Sequence, residues 1–139
     1  MIPDDYKPLM VRNWPEQHYS NGVTKNDATS RRFKRVVRIL KTLSNEMSAN
    51  GIQSAKEAPS FLVECLVFNA SNSCFNHSTY KQMVRAVLAE LFNNTITDEK
   101  CSEWGEVSEL KYLFRSSQPW TRQGAHQFLS DAWDYIGYE

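Results

Sequence analysis

The feature that most constrains this chain is the stretch Ser30–Ala49, SRRFKRVVRILKTLSNEMSA. At about 100° per residue, Phe33, Val36, Val37, Leu40, Leu43 and Met47 fall on one face of a helix. Arg31, Lys34, Arg35, Arg38 and Lys41 fall on the opposite face, and no acid interrupts that row before Glu46. Asp27 or Thr29 is placed to cap the start, where a side-chain oxygen accepts a free backbone N–H. Asn50-Gly51 ends the helix with residues that tolerate a left-handed backbone. One helix thus offers a stripe for a core and a concentrated cationic row. Two readings of that row stand open: the solvated face of a surface helix, or a floor of positive charge for phosphates.

The chain as a whole carries no net charge, with sixteen basic and sixteen acidic residues. That excludes a generic nucleic-acid coat, but the charge is segregated. Arg31–Lys41 is basic and Glu90–Glu109 is acidic, so a local anion site needs no global field. A length of 139 residues fits one domain with a real core. Cys65, Cys74 and Cys101 are odd in number, lack metal-ligand spacing and stand apart from His18, His77 and His126. Neither a disulfide framework nor a zinc site is expected, and Cys65 reads as core packing. No signal peptide is recognisable and no apolar run is long enough to cross a bilayer, so a cytoplasmic location is the default expectation.

Residues 1–28 read as an irregular N-terminal arm or linker. Met1–Val11 carries Pro3 and Pro8, and Asn13 to Asn26 is rich in Asn, Gly and Pro without periodicity. Such an arm either marks a chain cut from a longer protein or packs Trp14 onto the body. Residues 29–139 read as one helical domain. After the polar turn Gly51–Ala58, Pro59 suits a helix start. Phe61–Phe68, FLVECLVF, is apolar nearly all round and fits a central buried helix. Glu64 inside it needs a partner, for which a neighbouring Arg is expected. Ser78 caps a helix Thr79–Asn93, whose Tyr80, Met83, Val84, Val87, Leu88, Leu91 and Phe92 share a face. Glu106–Arg115 puts Val107, Leu110, Leu113 and Phe114 at helical spacing. Thr121 caps a last helix, Arg122–Ile136, and Gly137 stops it. The expected fold is an all-α bundle of about five helices.

Common catalytic signatures are missing. The five glycines are scattered and build no phosphate loop. There is no GxSxG or HExxH motif. Asp4-Asp5 and the pair Asp131 and Asp134 do not have the setting of a two-metal site.

Two stretches together carry a resemblance: Pro15–Lys41, PEQHYSNGVTKNDATSRRFKRVVRILK, and Pro59–Asn69, PSFLVECLVFN. With ELKYLF, QPWT and AWDYIG in Glu106–Gly137, they resemble the C-terminal helical lobe of oligoadenylate-synthetase-like nucleotidyltransferases. The likeness is nearest to the bacterial cyclic-oligonucleotide synthases of antiphage defence, relatives of cyclic GMP-AMP synthase. In that family an N-terminal lobe carries a Gly-Ser turn and an acidic triad for two magnesium ions, and the helical lobe forms the other wall of a nucleotide cleft.

The resemblance implies that Lys41 contacts a triphosphate and that Ser60 and Phe61 contact a base and stack on it. Phe61 keeps the ring of the Tyr common in animal relatives and lacks its hydroxyl; core packing is the other reading of Phe61. Arg38, one turn before Lys41, either helps hold phosphates or pairs with Glu64. These assignments suit the residues. An ammonium neutralises phosphate oxygens as a point charge, and a helix N-terminus at Ser60 favours anions.

The resemblance implies nucleoside triphosphates as ligands and magnesium as a cofactor of the complete enzyme, with no cofactor, no metal and no membrane partner for this chain itself. No Gly-Ser turn or strand-borne triad precedes the matching segment. The chain is therefore expected to lack the catalytic lobe, to need it as a partner and to be inactive alone. The alternative is a non-enzymatic helical module that binds RNA or an acidic protein through the cationic row. Nucleic acid is the less favoured ligand.

Overall fold

The computed structural model describes residues 14–138 and, for Trp14 and Pro15, the backbone alone. The described residues hold six α-helices: α1 (Trp14–Ala28), α2 (Arg32–Ala49), the one-turn α3 (Gln53–Lys56), α4 (Ser60–Phe68), α5 (Tyr80–Asn94) and α6 (Arg122–Ile136). The all-α expectation is correct. The Met1–Val11 lead-in and the Trp14 side chain lie outside the described residues.

The amphipathic stretch behaves as its periodicity requires. Phe33, Val36, Val37, Leu40 and Met47 of α2 are buried, while Arg31, Lys34, Arg35 and Arg38 are exposed. Of the two expected caps, Thr29 does the work: its Oγ1 accepts the Phe33 N–H at 3.0 Å. Ser30 and Arg31 then take left-handed backbones, φ 56° and 66°, and turn the chain sharply from α1 into α2. Gly51, at φ 85°, lies just past the other end, where an L side chain would be strained.

α4 is apolar on almost every side, and such a helix must be surrounded. Leu62, Val63, Cys65, Leu66 and Val67 are all buried, and α2 and α5 pack against it. Helices α5 and α6 close the far side through Val87, Leu88, Phe128 and Leu129, each at most 1% exposed. Thr79, not Ser78, caps α5, accepting the Gln82 N–H at 3.2 Å. Thr121 caps α6 as expected, and Gly137 ends it with φ 91°. Arg122 stitches the two helices together. Its guanidinium donates to the Thr95 and Ile96 carbonyls at 2.7 and 3.1 Å, which satisfies acceptors at the C-terminal end of α5.

Two of the expected segments differ in the structure. Residues Trp14–Ala28 are a helix, not an irregular arm. It is polar nearly all round and is tied down by hydrogen bonds: Asn21 to the Val107 carbonyl at 2.8 Å, and Lys25 to the Ala70 carbonyl at 2.6 Å. Periodicity reports apolar burial, so a helix held by polar ties escapes it. Glu106–Arg115 is not a helix. The Glu106 N–H donates to the Lys111 carbonyl and the Leu113 N–H to the Trp104 carbonyl, both at 2.9 Å, around an isolated antiparallel bridge between Gly105 and Tyr112. Glu109 turns this excursion with φ 61°. Val107, Leu110 and Leu113 are nonetheless buried.

Cys65, Cys74 and Cys101 are free and buried. Burial pushes the Cys74 thiol up to about 11 and raises the other two. At neutral pH all three stay protonated and act as small apolar side chains. No helix among the described residues is long and apolar enough to cross a membrane.

Candidate functional site

The four residues singled out from the sequence are Lys41, Ser60, Phe61 and Arg38. Lys41 lies near the middle of α2, on the edge of the cationic row that faces α4. Its Nζ donates to Glu64 Oε1 at 3.2 Å, and the two side chains keep 33% and 22% of their surface in solvent. Glu64 stands one helical turn after Ser60 on α4, so the two side chains share a face. The other carboxylate oxygen, Oε2, lies 3.1 Å from His18 Nε2 on α1. The partners of Glu64 are therefore a lysine and a histidine, not the expected arginine. Arg38 is exposed, and no hydrogen bond or ion pair joins it to Glu64 among the described residues.

Phe61 departs from the rest of its helix. Its apolar neighbours Leu62 and Val63 are 1% exposed, yet Phe61 leaves 39% of its surface in water. Core packing does not describe it. Its ring lies 5.7 Å from the His18 ring at an interplanar angle of 26°, and 6.0 Å from the Trp120 ring at 34°. Three rings from α1, α4 and the segment before α6 thus run side by side. Trp120 is fixed by its own indole, whose Nε1 donates to the Leu113 carbonyl at 2.8 Å.

Ser60 opens α4 and is exposed. Pro59 precedes it with an extended backbone and offers no side-chain cap. The first intrahelical bond runs from the Val63 N–H to the Pro59 carbonyl. No side chain of Pro59 caps the start of α4, and a helix N-terminus favours an anion.

Lys41, Glu64, His18, Phe61 and Trp120 form one connected patch, with Ser60 at its edge. A cavity of about 350 Å³ is lined by Trp120 together with Gln53, Ser54, Glu57, Leu62 and Gln127 among others. A second, of about 330 Å³, lies between α5 and α6 and is lined by Ala89, Phe92, Asn93, Ser130 and Trp133. Neither includes Lys41, Ser60 or Phe61. Among the described residues, no group of three or more His, Cys, Asp or Glu side chains is arranged to hold a metal ion.

His18 and Trp120 were not singled out as site residues. Glu64 lies forty-six positions from His18 in sequence, and the segment that carries His18 has no apolar period to mark it as a helix. Trp120 sits in the QPWT stretch, where sequence shows only a break. A lone carboxylate inside FLVECLVF was the available signal that a cation must stand nearby.

Comparison with known proteins agrees with this architecture. The family model for the C-terminal helical domain of cGAS/DncV-like nucleotidyltransferases matches residues 20–137. The chain is 43% identical over 126 residues to a cyclic dipyrimidine nucleotide synthase, CdnE, of Legionella pneumophila, covering 91% of this chain and 41% of the relative. It is 37% identical over 136 residues to a cyclic dipurine nucleotide synthase of Elizabethkingia meningoseptica, covering 98% of this chain and 45% of the relative. The solved structure of the Elizabethkingia meningoseptica CdnE cyclic dinucleotide synthase with GTP and Apcpp superposes with a TM-score of 0.82. That match has 37% identity and covers 91% of this chain and 45% of that one. The chain thus spans a little under half the length of these relatives.

Proposed function

The chain belongs to the C-terminal helical domains of cGAS/DncV-like nucleotidyltransferases, and on that premise we propose that it forms one wall of a nucleotide cleft. The complete enzyme would join nucleotides into a cyclic or linear oligonucleotide. The relatives named above are synthases of cyclic nucleotides, and one of them was solved with GTP and Apcpp. In this reading Lys41 neutralises phosphate oxygens, the α4 N-terminus at Ser60 favours the anion, and the exposed face of Phe61 stacks on a base. Arg38 stands one turn up α2 from Lys41 and extends the positive potential seen by the phosphate chain.

The observation that carries the proposal is the exposed Phe61 ring, linked through His18 and Glu64 to the Lys41 ammonium. A nucleotide needs an aromatic face and a cation on the same side of a protein surface. A division of labour follows from this reading. This chain would position nucleotides, and a second lobe would supply the magnesium clamp on which phosphoryl transfer depends. The chain alone is then a weak ATP binder without synthase activity.

Replacing the ring tests the stacking half of the proposal. Base stacking on an aromatic side chain contributes about 1–3 kcal/mol. Phe61 already shares its ring with His18 and Trp120, so the low end applies. Calorimetric titration with ATP should show Phe61→Ala weakening binding by about 5- to 10-fold, while Phe61→Tyr stays within about a factor of 2 of the native chain. Equal affinity for all three chains removes Phe61 from the site.

A further inference from the structure

Glu64 is the one acid in the middle of the proposed phosphate-binding face, and its placement is unexpected for such a face. A carboxylate that touches the cation meant for a phosphate competes with that phosphate. Its Oε1 takes the Lys41 ammonium at 3.2 Å, and its Oε2 takes His18 at 3.1 Å. The carboxylate is thus held from two sides by different elements, α2 and α1. It is only 22% exposed, so removing Lys41 from it would be costly if no second partner remained. His18 is that second partner.

We propose that Glu64 is an internal competitor for the phosphate subsite: in the free chain it occupies Lys41, and an incoming polyphosphate binds by exchange. This inference rests on the nucleotide reading above. On exchange the Lys41 ammonium passes from Glu64 Oε1 to a phosphate oxygen, and Glu64 keeps its hydrogen bond to His18. Phosphate binding at this face is therefore a substitution of one anion for another, and not the filling of an empty cation site. His18 acts as a positioning residue that keeps the released carboxylate in place beside Phe61. The consequence is a threshold. Anions of low charge do not displace Glu64, while a triphosphate, with several negative oxygens, does. The same contact keeps Lys41 folded against α4 when no nucleotide is bound.

Removing the competitor should strengthen binding, whereas removal of a residue that merely orients Lys41 would weaken it. The test compares the native chain with Glu64→Gln, which keeps the shape, puts a hydrogen-bonding amide in place of the carboxylate and loses the charge. Affinities for ATP and for inorganic tripolyphosphate are measured by calorimetry. Glu64→Gln should bind both ligands about 3- to 10-fold more tightly, the range expected when a partly exposed ion pair no longer has to be broken and like-charge repulsion is relieved. In a Lys41→Met background the same change should bring a clearly smaller gain, because there is then no ammonium to release and only the relief of like-charge repulsion remains.

A gain of equal size in both backgrounds would show general repulsion and overturn the exchange. Unchanged or weaker binding by Glu64→Gln, in a chain whose ATP binding still depends on Lys41, would overturn the exchange and leave the nucleotide reading standing. ATP binding that Lys41→Met leaves intact would overturn both. Thermal melts of each variant exclude loss of fold as the cause.

Discussion

Replacing Lys41 with methionine should weaken ATP binding by about 10- to 100-fold while leaving the thermal midpoint almost unchanged. The size follows from the chemistry of the contact. A hydrogen bond from an ammonium to a charged phosphate oxygen contributes about 1.5–3 kcal/mol, roughly twice a neutral one. The near-neutral effect on stability follows from exposure. Lys41 and Glu64 keep 33% and 22% of their surfaces in water. A pair in that setting contributes at most about 1 kcal/mol after screening and side-chain ordering. Methionine also preserves an apolar stem of similar length, and His18 still holds Glu64 at 3.1 Å. The change thus separates binding from folding. Lys41→Arg is a poorer control, because a planar fork does not replace a point charge in so short a reach.

Phe33→Ala should have the opposite profile, with a large loss of stability and no specific effect on nucleotide. Phe33 is fully buried. Its ring meets Phe68 edge-on at 6.0 Å and Phe75 edge-on at 6.3 Å, so it joins α2 to the end of α4 and to the turn that follows. Cutting such a ring to a methyl group removes apolar burial and leaves a cavity that its neighbours fill only partly. The cost is about 3–5 kcal/mol. Out of a typical total of about 5–15 kcal/mol, this is enough to bring a small domain close to unfolding. For a chain of this length the midpoint should fall by about 10 °C, read by circular dichroism at 222 nm or calorimetry. Phe33→Leu, which refills most of the volume, should recover more than half of that loss. A fall of less than 3 °C for the alanine variant would contradict the placement of Phe33 at the centre of the core.

The contrast between these two residues shows what could be read from sequence. α2 announced itself because its burial is apolar and periodic, and α5 and α6 did so for the same reason. Phe33 could be assigned to the core from spacing alone. α1 gave no such sign, because what binds it to the body is a set of polar contacts made by His18, Asn21 and Lys25. The 106–115 segment misled in the other direction. Val107, Leu110 and Leu113 are spaced three apart, as on a helix, but a left-handed turn at Glu109 brings them inward without one.

The site was legible in part. Lys41, Ser60 and Phe61 came from a resemblance, and the structure places Lys41 and Phe61 on a shared patch through Glu64 and His18. The charge inside FLVECLVF signalled that a partner existed. One partner, Lys41, lies on α2, which periodicity shows; the other, His18, lies on α1, which it does not. Trp120 was hidden for a related reason, since its position is set by one hydrogen bond to the Leu113 carbonyl and not by any period.

The account rests on a nucleotide occupying the patch that joins Lys41 to Phe61. The most direct measurement is an ATP titration of the isotope-labelled chain followed by two-dimensional amide NMR, with weak binding in the range of about 0.1–10 mM expected for a single wall of a cleft. The account predicts that the largest shifts fall on Lys41, Ser60, Phe61 and Glu64, with smaller ones at His18 and Trp120, and that Lys41→Met suppresses them together. Shifts confined to the exposed Arg31, Lys34 and Arg35 row, or to the cavity between α5 and α6, would contradict it.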